Sequence, residues 1–261
     1  MNILDTIIAC KKTEVASRKQ KTSVAELEKS KFFTNETLSL RKFLLDSSKT
    51  GIIAEFKRKS PSKGIINNKA TVENVTAAYA KFGASGISVL TDEEFFGGTL
   101  LDLLAATINE VPLLRKDFMI DEYQLIEAKA FGAEVILLIA ACLTPATVKQ
   151  MAATAKSIGL EVLLEIHNDE EIGHICDEVD LVGVNNRNLK TFEVSIQTSL
   201  DLINKIPKDK LAIAESGISD ADTIVTLRNA GFKGFLIGEN FMKQPDPSVA
   251  FADFVNQLKA K

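Results

Sequence analysis

Tryptophan is absent from this 261-residue chain, and histidine (2), tyrosine (2) and cysteine (3) are scarce. Cys10, Cys142 and Cys176 lie far apart, are odd in number and form no CxxC pair. That excludes a disulfide framework and a cysteine-rich zinc site, and it fits a reducing, cytoplasmic setting. His167 and His174 are not at ligand spacing, so neither a metal centre nor a catalytic histidine is expected. No run approaches the roughly 20 apolar residues of a membrane-spanning helix. The opening MNILDTIIACKKTEV puts Asp5 inside its short apolar stretch and Lys11 and Lys12 after it, the wrong layout for a secretory leader. A basic excess is also missing. The net charge of -4 gives no general attraction to nucleic acid or to an anionic membrane, so any bound anion is held by local groups.

What the chain does have is material for a large core, with 46% hydrophobic and 25% charged residues. The first fifty residues read as helical and polar. Ile3, Leu4, Ile7 and Ile8 make one apolar face, and Leu40, Phe43 and Leu44 make another, as in a lid or collar. From Gly51 a unit repeats: a short β-branched run, a polar or glycine turn, then an amphipathic helix. The runs are GIIAEFK, GISVL, VPLLRK, EVILLIA, LEVLLEIH, DLVGVNN, LAIAES and GFLIGE. Thr71 is placed to cap the helix that ends at Gly83, and Thr144 with Pro145 starts another. About eight strand–helix units close a (β/α)8 barrel. The expected fold is therefore α/β: one TIM barrel domain over 1–261, with 1–50 as an N-terminal helical extension. An open doubly wound sheet would carry a glycine-rich loop after its first strand, where this chain has KRKSPSKG.

Strand parity locates the chemistry. Side chains alternate faces, so Ile53, Glu55 and Lys57 share the inward side of the first strand, and Ile52, Ala54 and Phe56 face the helices. The same parity in the third, fifth and seventh strands turns Lys116, Glu165 and Glu215 inward, above Leu114, Leu163 and Ile213. Barrel layers draw on alternate strands, so Glu55, Lys116, Glu165 and Glu215 form one ring at the mouth. Three carboxylates and one ammonium in a half-buried place are costly for folding. Like charges raise one carboxyl's pKa and the ammonium lowers another's, which brings an acid and a base together.

Other groups surround that ring. Lys57 suits a substrate anion, whereas Arg58, Lys59 and Lys63 read better as a solvated rim. Ser60, Pro61 and Ser62 make a stiff loop bending over the mouth. Asn185 and Arg187 end the sixth strand with inward parity, and an Asx turn with a surface arginine is the equally good alternative. Ser216, Gly217, Gly238 and Glu239 follow the seventh and eighth strands, where backbone N–H groups commonly cradle phosphate. Phe118 is either an apolar wall for an aromatic ring or core. Cys142 reads as a small packed residue.

The stretches EFKRKSPSKG, SVLTDEEFFGG, LLRKDFMID, ILLIAACL, LLEIHNDEE, GVNNRNLKTFEV, AESGI and FLIGENFM together resemble indole-3-glycerol phosphate synthase. The resemblance implies a (β/α)8 barrel that converts 1-(2-carboxyphenylamino)-1-deoxyribulose 5-phosphate into indole-3-glycerol phosphate, carbon dioxide and water. It implies Lys116 as general acid, Glu55 and Lys57 in dehydration, Glu165 as base, Glu215 and Asn185 around the reacting centre, and Ser60 near the substrate carboxylate. Arg187 falls among the polar groups there, and Ser216, Gly217, Gly238 and Glu239 occupy phosphate-site positions. No cofactor and no metal are implied. The partner is a small anionic molecule bearing phosphate and carboxylate; no nucleic acid or membrane is expected, and a monomer is. Three rivals remain: a Schiff-base aldolase using Lys116, a phosphoribosyl anthranilate isomerase, and a non-catalytic phosphosugar-binding barrel. The isomerase would place a cysteine and an aspartate at strand ends, and no cysteine ends the first or seventh strand.

Overall fold

A computed structural model describes residues 3–189 and 191–261; Met1, Asn2 and Lys190 lie outside them. Eight parallel strands close a barrel: β1 (Ile52–Phe56), β2 (Gly86–Leu90), β3 (Leu113–Lys116), β4 (Val135–Ile139), β5 (Glu161–Ile166), β6 (Leu181–Asn185), β7 (Leu211–Glu215) and β8 (Gly234–Ile237). Closure comes from β1 pairing with β8, Ile52 opposite Phe235 and Ala54 opposite Ile237. The open-sheet alternative is thereby excluded.

Alternation sorts the strand side chains into two cores. Ile52, Ala54 and Phe56 pack with the helix layer outside the barrel, whereas Ile53, Leu114, Leu163 and Ile213 fill its inside. The parity read from the sequence therefore holds for all four odd strands. Local chemistry sets the helices. The Thr71 side chain accepts from Asn74 N at the start of Val72–Lys81, and Gly83 beyond that helix takes a left-handed φ of +90°. Thr144 caps Pro145–Ser157 through Thr147 N, with Pro145 in the first turn where no amide partner is lost. One crossover departs from the repeat. After β5 the segment Asp169–His174, acidic and interrupted by Gly173, winds as a 3-10 helix instead of an α-helix.

The N-terminal extension serves both ends of the barrel. Helix α1 (Ile3–Lys21) runs to the mouth, where Ile3, Leu4 and Ile7 line the cleft. The short helix Leu40–Leu45 goes to the opposite end, and Leu40 and Leu44 join the inner core as a plug. Glycines make room for them: a Cβ on Gly86 of β2 would come within 2.6 Å of a Leu40 methyl, and one on Gly234 of β8 within 3.2 Å of a Leu44 methyl. A lid or collar thus describes the first segment, and the second is a stopper.

Candidate active site

The C-terminal strand ends bring the four-membered ring together. Glu55, Glu165 and Glu215 are 3%, 3% and 1% exposed. Lys116 Nζ donates to Glu165 Oε2 at 2.9 Å and lies 3.8 Å from Glu215 Oε2. Lys57 Nζ donates to Glu55 Oε1 at 2.7 Å. Asn185 Nδ2 donates to Glu165 Oε1 at 3.2 Å, and Asn185 Oδ1 accepts from Arg187 N at 3.0 Å. Both readings of Asn185 therefore apply, since it contacts the ring and also makes an Asx turn. Two glycines leave space for the carboxylates: a Cβ on Gly183 would lie 2.1 Å from Glu215 Oε1, and one on Gly238 would lie 2.5 Å from Glu55 Oε1.

Their protonation follows from burial and mutual charge. Burial opposes the Lys116 ammonium, but Glu165, Glu215 and Glu55 outweigh it and raise its pKa above the ordinary lysine value. Burial likewise opposes charge on Glu165, yet Lys116 and His167 hold it well below the usual carboxylate range. Glu215 goes the other way. Burial first, then the Glu165 charge, push it up to about 8, and its Oε1 is buried without a hydrogen-bond partner. One basin thus holds a charged acid, an ionised carboxylate and a protonated carboxyl.

Above the ring lies a cleft whose free space is about 170 Å³, walled by Leu90, Leu137, Ile139, Phe96 and Phe118. Phe118 lines the cleft, 6.0 Å from the Phe96 ring, and also packs on the inner core. Ser60, Pro61 and Ser62 also face the cleft, on a short ribbon pairing Lys59–Ser60 with Gly64–Ile65. The loop is anchored by the residues expected to form a solvated rim. Arg58 grips Asp102 with two nitrogens at 2.6 and 2.7 Å and donates to Gly97 O, and Lys59 donates to Glu94 O. Only Lys63 of the three keeps a mostly exposed side chain, at 56%. Periodicity gave no sign of this because the acceptors come from the segment after β2.

A second hollow, of about 470 Å³, adjoins the cleft between the turns after β7 and β8 and is lined by Ser216, Gly217, Gly238, Glu239, Lys57, Arg187 and Lys243. Ser216 and Gly217 both take left-handed φ, 65° and 75°, which for a serine is a strained conformation. Arg187 reaches Glu239 Oε2 at 3.6 Å, so it faces the hollow and not open solvent. Cys142 packs against the inner core, and its thiol is pushed up to about 12 by burial and then by Glu165. It stays protonated, in keeping with a packing role.

Two features escaped the sequence reading. His167 Nε2 lies 3.1 Å from Glu165 Oε1, although no catalytic histidine was expected. Its position two residues beyond Glu165 on the same inward parity is the signal that could have found it. The other is a closed ring of ion pairs beside the site. Lys11, 1% exposed, contacts Glu14, Asp92 and Asp117 at 2.8 to 2.9 Å. Asp117 pairs with Arg115, Arg115 with Glu127, Glu127 with Arg18 and Arg18 with Glu14. These pairs tie α1 to the residues on either side of Lys116. Among the described residues no three His, Cys, Asp or Glu side chains are grouped to hold a metal ion.

Comparison with known proteins gives a consistent result. The family model described as indole-3-glycerol phosphate synthase matches residues 4–254. An indole-3-glycerol phosphate synthase of Bacteroides thetaiotaomicron is 47% identical over 261 residues, 99% of each chain. One from a Polaromonas species is 43% identical, covering 96% of this chain and 97% of its own. Among solved structures, a mutant tryptophan synthase alpha-subunit of Pyrococcus furiosus superimposes with a TM-score of 0.61 at 17% identity, over 82% of this chain and 99% of that one. At such low identity that likeness speaks for the barrel alone. The family model and the two relatives speak for more, and they agree with the acid–base ring at the barrel mouth: the chain belongs to the indole-3-glycerol phosphate synthase family.

Proposed function

We propose that Lys116 is the general acid for ring closure of 1-(2-carboxyphenylamino)-1-deoxyribulose 5-phosphate, in the carboxy-lyase reaction of tryptophan biosynthesis that defines the family. The observation that carries this is the Lys116 ammonium, 2.9 Å from Glu165 and 3.8 Å from Glu215, under an apolar cleft. As the ring carbon bearing the carboxylate attacks the ketone, Lys116 passes a proton to the developing alkoxide. The closed ring is then an iminium, and carbon dioxide leaves as its bonding electrons flow into it. Dehydration needs a second proton delivery and a proton removal, roles we assign to the Lys57 and Glu55 pair and to Glu165. Glu215, kept protonated, donates a hydrogen bond and positions the substrate with Asn185.

The remaining roles follow from charge and shape. Phe118 stacks beside the aromatic ring, and Ser60 reaches its carboxylate. The phosphate sits in the second hollow on backbone N–H groups of Ser216, Gly217, Gly238 and Glu239, with Arg187 near the sugar. Each of these roles falls to groups of one chain and one barrel, and on that we rest the reading of a monomer built as a single barrel domain, 1–261.

A Schiff-base role for Lys116 is disfavoured, because such a lysine needs a lowered pKa and this one is raised. K116M is expected to stay folded and to lose at least about 100-fold in kcat, the scale of general acid catalysis. The readout is indole fluorescence, seen against a chain with no tryptophan. Retention of more than about a tenth of the activity would refute the assignment.

A further inference from the structure

Glu165 accepts from Lys116 Nζ at 2.9 Å on Oε2 and from Asn185 Nδ2 at 3.2 Å on Oε1, and His167 Nε2 lies 3.1 Å from Oε1 as an ion-pair contact, off the line of a hydrogen bond. His167 is itself gripped. Its main-chain N donates to Glu171 Oε2 at 2.7 Å, and its ring Nδ1 lies 3.2 Å from the same oxygen. Glu171 belongs to the 3-10 helix Asp169–His174, whose last residue is fastened to Leu143 O through its ring at 3.0 Å. One imidazole therefore spans two carboxylates, and its side chain is only 8% exposed.

We propose that His167, clamped by Glu171, is a positioning residue for this reaction: as an imidazolium it orients the Glu165 carboxylate and keeps it ionised, so that the Lys116 proton goes to the substrate and not to Glu165. The inference rests on the assignment of Lys116 as the acid. When Lys116 gives up its proton, Glu55, Glu165 and Glu215 lose their shared cation. His167 is then the positive group still touching Glu165. An imidazole whose two nitrogens lie 3.1 and 3.2 Å from carboxylate oxygens is favoured in its charged form by both of them. Burial opposes that charge, but contact with Glu165 and Glu171 outweighs it and raises the ring to about 10.

The other charged groups around the ring leave this balance in place. His167 borders a polar hollow into which Glu170 and Glu171 face from the 3-10 helix, Asp5 from α1, and Arg187 and Glu193 from the loop after β6. Carboxylates outnumber the one cation among them. Beyond β4 the nearby Cys142 thiol stays neutral.

Two histidines make a direct test practical. In protein labelled with ¹⁵N-histidine, one ring is expected to remain doubly protonated at about pH 8, and that signal should vanish in H167Q. If both rings of the folded wild type titrate near the ordinary value of about 6.5, the inference is overturned. Kinetics supply the second arm. H167Q is expected to keep KM within about threefold and to lose about tenfold in kcat, with the acid limb of its pH profile moved up by about one unit. E171Q should shift the limb the same way by less. Unmoved profiles in both variants, beside an inactive K116M, would overturn the role of His167 alone. An active K116M would overturn the acid assignment and this inference together.

Discussion

Lys116 owes its charge to its neighbours, and Glu215 owes its proton to the same crowding. A carboxyl raised to about 8 by burial and by Glu165 favours folding when protonated. Its contribution is complete below the ordinary value of about 4.5 and is lost as pH climbs through 8, because the unfolded chain gains by ionising. E215Q is close to isosteric with the protonated form, so it should match wild type near pH 5. At pH 8.5 it should exceed wild type by several kcal/mol, since each unit of the shift from 4.5 to about 8 is worth about 1.4 kcal/mol. Urea unfolding at the two pH values tests this, and an equal difference at both would refute it. Activity is expected to fall in the same variant, since an amide N–H replaces the carboxyl O–H that we assign to the substrate.

Helix α1 is the element whose role most exceeds its appearance in sequence. Its polar face carries Lys11, Glu14 and Arg18, which would suit a solvated helix surface, yet Lys11 is fully buried against Asp92 and Asp117. Burial opposes the Lys11 ammonium, but Asp117 and Asp92 outweigh it and raise its pKa. K11M removes one cation from two buried carboxylates, and breaking such a pair costs about 3–5 kcal/mol. Because Ile3, Leu4 and Ile7 wall the cleft, KM should rise as well. Chemical denaturation and steady-state kinetics together check this, and a stable variant with unchanged KM would refute a holding role for the ion-pair ring.

The same contrast marks what could be read in advance. Glu55, Lys116, Glu165 and Glu215 were legible because a strand's period of two is rigid, so facing follows from counting. Thr71, Thr144 and Pro145 were legible because capping is local. The ion-pair ring was not, since Lys11 meets Asp92 and Asp117 only after distant strands have closed. Arg58 hid for the same reason, its acceptors being Asp102 and Gly97. His167 was visible by parity but set aside, because counting ligands does not ask what a carboxylate needs beside it.

At the scale of the molecule, chemistry and stability sit at opposite ends of the barrel. The mouth gathers buried charge, and the base is closed by leucines. L44A should therefore cost about 2–5 kcal/mol by leaving a void among Ile213 and its neighbours. At 25 °C its kcat and KM should remain near wild type. Thermal unfolding beside the fluorescence assay separates the two, and a large drop in kcat without loss of stability would contradict the division.

The stopper at the base also bears on how the chain is made. Leu40 and Leu44 leave the ribosome before the barrel strands, but the surfaces they fit include Gly86 on β2 and Gly234 on β8. Synthesis runs from the amino end, so Leu44 cannot find its full seat until β8 has emerged. The stopper is made before every strand of the barrel yet docks only after the last of them, and nascent chains halted before β8 should show it open to protease.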